Sequence, residues 1–553
     1  MKKFKENIKK YWIISLVLIV LLLGAGGAIL WTTVGNTWFA KGGESDIYTA
    51  YVQDEKGTAL EKVYVMLCAE DGTELTWLPY VTNGTGNIQF SEGAKEGCYL
   101  KVVGVPIGYK LDESVKYEFD SMRNVKITLA EDDSVYIAKI GDTKFMSLSS
   151  ALGVANASND ESVIELLADV SVATGTIKNA YGKNITIKGN GHTITAVGGN
   201  NTFLVNQDKG GEITFEDVKI EHNNTGAVFQ VNALATLNLT DIEIDATKGS
   251  AYNYALINTL AVDGTTNLNM TRVDVKMAVK TPAKANQAGI IRTGNTSGTK
   301  TVNINMVDCN LDAEGATGRQ CIVVMKNTVA NIKATNCSFK AGDSSAIWAE
   351  EQSKAQTLTM INSTAVSTIG PSIKTPIKGY AAMIGNTYHL TFGHAADVAA
   401  KSKSNVTIKA VADVTMKTCT INNKYGKVIT IDGNGKTITT SGGSNAFILG
   451  NNVAFKNMKI NHKNTGSVFQ ITEVANLKVT DVTINATEGK NYNYTLVNTL
   501  AEGDTTTVDF TRVNVKMAVK SKGSVVYEIR IKLPQSILIN LITRYKAPKR
   551  LSL

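Results

Sequence analysis

The chain has 553 residues, 43% apolar and 19% charged, with 57 Lys and Arg against 49 Asp and Glu for a formal net charge of +8. At roughly 150 residues per domain this is ordinary folded material in three or four domains, and a charge of +8 over this length is too dilute for a nucleic-acid binder. Seven prolines and 47 glycines exclude collagen-like and proline-rich chains, and the six cysteines, with no CxxC pair, show no zinc-ligand spacing with the five histidines.

Residues 1–10 carry Lys2, Lys3, Lys5, Lys9 and Lys10, and residues 11–33 carry no charge. From Trp12 to Trp31 the run is about 20 residues, long enough for the roughly 30 Å hydrocarbon core, with a Trp at each end as interfaces prefer. Lysines before it and none until Lys41 place the N-terminus inside and the rest outside. The small residues Gly24, Ala25, Gly26, Gly27 and Ala28 also suit a signal peptidase. Residues 1–42 are therefore expected to be a transmembrane anchor or a signal helix. The chain beyond residue 42 is expected at the cell surface, membrane-anchored, or secreted.

Residues 43–132 read as seven short alternating strands broken by turn signals, among them IYTAYV, KVYVMLC, IQF, CYLKVV and VKITLA, which predicts a β-sandwich. Asp54 and Gly57, the NGTGNIQF turn and strand, Gly97-Cys98-Tyr99 and Pro106-Ile107-Gly108-Tyr109 resemble the CnaB (SpaA-like, carboxypeptidase-regulatory-like) family of prealbumin-like surface modules. The resemblance implies a spacer. Many members of that family carry a Lys to Asn isopeptide bond with an acidic proton shuttle. Thr49, Ala50, Tyr51 and Val52 stand where the Lys would sit and Val103 near the expected Glu, so no such bond is expected. Cys68 and Cys98 could form a disulfide or remain core thiols.

From residue 133 the chain repeats itself. ITIKGNGHTITAVGGNNTF from Ile185 returns as ITIDGNGKTITTSGGSNAF from Ile429, and the match continues from Phe215 and Phe455 to Lys280 and Lys520. A finer period lies inside each block: EITFEDVKIEH, TLNLTDIEIDA, NLNMTRVDVKM, TVNINMVDCNLDA and NIKATNCSFKA recur, with short runs such as AVFQV and CIVVM between them. One such coil cannot bury its inward face, so coils must stack into a solenoid with parallel sheets. The opening VYIAKIGDTKFMSLSSALGVANASNDESVIELLADV and the IDGNGKTI segment resemble the cap and first coil of the right-handed parallel β-helices of the pectate-lyase-like superfamily. Residues 133–403 are read as the capped first block, 404–521 as a partial second block, and 522–553 as an atypical basic and apolar tail, either a cap or the product of a truncated gene.

Polysaccharide lyases and hydrolases on this fold use clustered acids, so the resemblance directs attention to Asp217, Asp241, Asp274 and Asp481, with Asp308, Asp509, Arg272 and Arg512 nearby. Alternation with Asn336, Asn362 and Asn457 favours a structural turn ladder instead. His222 and His462, in EHNNTG and NHKNTG, read as exposed turn histidines. Tyr252, Asn253 and Tyr254 return as Tyr492, Asn493 and Tyr494, aromatics flanking an amide as sugar-stacking sites require.

The expected fold is all-β: a right-handed parallel β-helix preceded by a small prealbumin-like β-sandwich and an N-terminal transmembrane or signal helix. The expected function is a non-enzymatic adhesin of a Gram-positive-type surface, binding a cell-surface or matrix polysaccharide or glycoconjugate, with no catalytic residue, no metal and no nucleic-acid partner. The alternatives are a polysaccharide lyase or glycoside hydrolase, with Ca²⁺ as cofactor only in the lyase case, and a structural stalk.

Overall fold

The computed structural model describes residues 47–520 apart from short loop stretches, with the backbone of three later strands ending at residue 551. Residues 1–42, read as anchor or signal, lie outside the described residues. No helix among the described residues is long and apolar enough to cross a membrane. The described residues fall into two units: one up to Val102 together with Ser114–Glu131, the other Val103–Glu113 with the chain from Asp132 onward.

The first unit holds β1 (Tyr48–Asp54), β2 (Tyr64–Cys68), β3 (Tyr80–Val81), β4 (Asn87–Phe90), the start of β5 (Tyr99–Pro106), β6 (Tyr117–Glu118) and β7 (Asn124–Leu129). β1 pairs antiparallel with β4 and parallel with β7, while β2 and β5 pair with each other and with β3 and β6. Strict alternation in β1, β4 and β7 turns Val52, Phe90 and Ile127 inward, fully buried, as are Val65, Leu67 and Leu100 of the other sheet. Cys68 and Cys98 are buried thiols of this core.

The second unit is a β-solenoid of about 11 turns. It opens with an antiparallel hairpin, Ala138–Ile140 with Thr143–Phe145, followed by α1 (Leu148–Ala157). Ser147 caps α1 by accepting the Ser150 N–H, and Leu148, Ala151, Leu152 and Ala155 fall on one helical face and are buried. That face closes the first coil, whose apolar interior would otherwise meet water.

Each coil then lays three strands on three faces. A long strand starts on the first face and turns onto the second; a short one forms the third. Glu212–His222 pairs in parallel with Thr236–Ala246, and that strand with Gly264–Met277, so equivalent residues stack coil upon coil. On the third face the short strands make an 8-stranded sheet in the first copy and a 5-stranded one in the second. Phe203 and Phe229 stack with ring centroids 5.5 Å apart, and Phe215 from the first face meets both edge-on; Phe447, Phe469 and Phe455 repeat the cluster.

A second cap precedes the second copy. Ala382–Ile384 pairs with Thr387–His389, and α2 (Phe392–Ala400) follows, capped by Thr391 and buried through Phe392, Ala395, Ala396 and Ala399. Its strand pairs Ile384 with Ile408 and Ala382 with Ala410, as Ile140 pairs with Ile164 and Ala138 with Leu166 in the first copy. The duplication thus includes the cap, which periodicity alone did not reveal because Phe145, Leu148 and Leu152 have become His389, Phe392 and Ala396. At the far end Val526–Leu533, Ile537–Leu541 and Lys549–Leu551 pair antiparallel with the last strand of each face in turn.

Candidate functional site

The corner between first and second faces is one residue in left-handed conformation. Asp217, Asp241, Arg272, Asp308, Asn336 and Asn362 all have φ between 48° and 56°, and they follow one another in the strand registers. Asp and Asn tolerate that conformation because their short side chains bond locally. Arg272 does not share that advantage, but Nε and Nη2 grip the Asp241 carboxylate at 2.5 and 2.7 Å, and Arg512 holds Asp481 identically. The guanidinium holds each carboxyl below its usual range.

The expected acid ladder is therefore a corner in which acids alternate with Arg and Asn. Asp274 is not part of it: Asp274 lies beyond the corner on the second face and accepts a hydrogen bond from Asn310 at 2.9 Å. No group of three or more His, Cys, Asp or Glu among the described residues is placed to hold a metal ion. Both ion pairs are about half exposed. Asp241→Asn is expected to leave the thermal unfolding midpoint almost unchanged, measured by circular dichroism, because solvent screens such pairs.

His222 and His462 are buried, not exposed turn residues. Each is the last inward position of its strand, so alternation carries it into the core. The Gly226 carbonyl lies 3.1 Å from His222 Nε2, which must donate, leaving Nδ1 to accept from the Thr202 hydroxyl at 2.7 Å; Thr440 and Gly466 serve His462 in the same way. Burial lowers the His222 pKa to about 4. These neutral rings tie the third turn of the coil in place and are closed to a substrate. Tyr252, Asn253, Tyr254, Tyr492, Asn493 and Tyr494 lie outside the described residues.

The outward residues of the first face form a surface that sequence reading missed. One row runs Thr236, Asn267, Asn303, Asn331, Thr357; the next runs Thr214, Asn238, Asn269, Asn305. Asn303 donates to Asn267 at 2.9 Å and accepts from Asn331 at 3.0 Å, and Asn305 donates to Asn269 at 2.9 Å, which donates to Asn238 at 2.8 Å. Asn303 uses one N–H and one lone pair along its row and Asn305 one N–H, which leaves each with donor and acceptor capacity toward solvent, whereas Asn238 donates to both Glu212 and Thr214. Coil spacing of about 4.8 Å therefore sets a flat lattice of fixed donors and acceptors. A shallow groove of about 410 Å³ runs along it, with Lys333 as its charged neighbour. The signal was present in sequence as the N-x-N pairs at 267–269 and 303–305. In the second copy the matching row holds Ala454, Lys478 and Asp509, so the double amide row belongs to the first copy.

Fold and surface together define a β-solenoid with a polar lateral face lined by amide rows. Residues 145–255, from the first cap into the early coils, match the family model of the pectate lyase-like adhesive domain. No curated protein and no solved structure matches the chain.

Proposed function

We propose that this protein is an adhesin-like surface protein that holds polysaccharide against the amide face of its solenoid. The observation that carries this reading is the pair of hydrogen-bonded Asn rows, whose free donors and acceptors are already fixed in direction and lose little entropy on meeting a hydroxyl-rich polymer. The adhesive-domain match over residues 145–255 supports it. The lysines and apolar run of residues 1–42 fit export and anchoring at the membrane, and the seven-stranded unit, CnaB-like in its motifs, fits a spacer that lifts the solenoid from a Gram-positive-type surface. Tyr252, Asn253 and Tyr254, with Tyr492, Asn493 and Tyr494, are proposed as further sugar contacts on their sequence alone, as aromatics flanking an amide.

The test is retention of the protein on immobilised cell-wall and matrix polysaccharides. The double variant Asn303→Leu and Asn305→Leu is expected to lose about tenfold in affinity, as two net hydrogen bonds imply, while its melting curve stays near wild type. Equal retention of the variant would remove the amide face as the binding surface.

A further inference from the structure

Immediately after each corner residue the chain turns one side chain into the core. Val218, Ile242 and Val273 hold that position in three successive coils, buried and in register. The next two coils place Cys309 there, after Asp308, and Cys337, after Asn336, as the pairing of Asp274 with Asn310 and of Asn310 with Ser338 requires. In the second copy the same position holds Met458, Val482 and Val513. Two stacked thiols thus stand in a column that is otherwise built from apolar side chains through these coils.

In-register neighbours on parallel strands have Cα atoms about 4.8 Å apart, inside the range of roughly 4.4 to 6.8 Å that a disulfide spans. The two thiols also point alike: Cys309 donates to the Val307 carbonyl at 3.3 Å and Cys337 to the Thr335 carbonyl at 3.2 Å, in each case two residues back. They are in hydrogen-bonding contact with each other, and that contact holds the Cys337 thiol below its ordinary value and pushes Cys309 above it. Cys321, fully buried in the same region, is tied instead to the Leu311 and Lys340 carbonyls. The strands that lead into the pair, Lys300–Val307 and Thr328–Thr335, carry Asn303, Asn305 and Asn331 of the amide face.

We propose that Cys309 and Cys337 form a disulfide that staples these two coils, made by exchange with a small-molecule disulfide such as oxidised glutathione. The Cys337 thiolate attacks one glutathione sulfur and a first glutathione thiolate leaves. The Cys309 thiolate then attacks the Cys337 sulfur of the mixed disulfide and expels the second. The two electrons and the two protons of the protein thiols end on two glutathione thiols. Both cysteines are only 3% exposed, so the exchange belongs to the closing of the coils during folding, and the finished solenoid shields the bond from reductant. Outside the cytoplasm, where the proposed function places the solenoid, such bonds persist. The bridge fixes the coil of Asn303 and Asn305 against the coil of Asn331, and its formation does not depend on what the face binds.

The test is a thiol map of the full chain after it is unfolded with reductant, refolded in a mixture of reduced and oxidised glutathione, and unfolded again in excess iodoacetamide. Trypsin cleavage after Lys300, Arg319, Lys326, Lys333 and Lys340 leaves Cys309, Cys321 and Cys337 on three separate peptides, which mass spectrometry distinguishes. The expected result is peptide 301–319 joined to peptide 334–340, with the remaining cysteines alkylated, and a urea midpoint higher in the oxidised chain than after reduction. Cys309→Ala is expected to abolish that shift and to leave Cys337 alkylated. Alkylation of all six cysteines in the wild-type chain, a bridge that uses Cys321 or another partner, or a bond between two chains overturns the proposal. Equal urea midpoints for the bridged and the reduced chain overturn it too, because strain in the folded coils would then cancel what the closed loop contributes.

Discussion

Phe229→Ala is expected to destabilise the solenoid by about 3–5 kcal/mol, the range for removing a fully buried aromatic that its surroundings cannot refill. Phe229 is fully buried, stacks on Phe203 in the coil before and receives the edge of Phe215 from the opposite wall, so truncation empties the centre of one coil and removes a partner from the next. Phe469→Ala should behave alike, since it occupies the same place between Phe447 and Phe455. Because each coil rests only on its neighbours, the loss is local first. Hydrogen exchange should accelerate in Phe203–Val205 and Phe229–Val231 before it does in the strands of the second copy. Uniform acceleration over both copies, or a stability change below about 1 kcal/mol, would contradict the picture of independent aromatic clusters.

Acid is the second strong lever. An unfolded histidine takes up its proton near pH 6.5, whereas burial holds folded His222 and His389 neutral down to about pH 4. His462 is lowered for the same reason, and His389 is further disfavoured by the adjacent His394 ring. Between these values the unfolded chain binds more protons than the folded one. Stability is therefore complete above pH 6.5 and falls steadily as pH drops toward 4. The full loss is roughly 3 kcal/mol for each of His222 and His389, from about 1.4 kcal/mol per pKa unit. The displaced carboxylates, Asp241 and Asp481 among them, sit below their ordinary value of 3.8, so their contribution is lost only at lower pH and leaves this window to the histidines. Urea unfolding at about pH 7, 5.5 and 4 should show the slope, and His222→Gln should flatten it. A slope that is the same in His222→Gln would place the titration elsewhere.

The coils were legible because stacking demands the same inward apolar positions every time, and Ile213, Leu237 and Leu268 keep both spacing and register. The second cap was not, since a helix needs only small or apolar residues on one face, and Ala395, Ala396 and Ala399 satisfy that without resembling Leu148 and Leu152 in sequence. His222 was misplaced for a related reason: its neighbours Asn223, Asn224, Thr225 and Gly226 are turn residues, yet the strand's alternation carries one position further than composition suggests. The amide rows escaped because an Asn on a strand reads as a turn residue when taken alone. Only the registry of Asn267 with Asn303 and Asn331 turns three scattered amides into one surface.

The most direct test of a binding solenoid combines retention and chemistry in one sample. The full chain is incubated with purified cell-wall, pectic and matrix polysaccharides, with and without Ca²⁺, and each mixture is assayed for bound protein and, by mass spectrometry, for released oligosaccharides. If the amide face binds, at least one polymer retains the protein, retention falls in the Asn303→Leu and Asn305→Leu variant, and no new chain ends appear. New oligosaccharides that vanish with Asp241→Asn or Asp481→Asn would contradict a binding solenoid and make the corner acids catalytic.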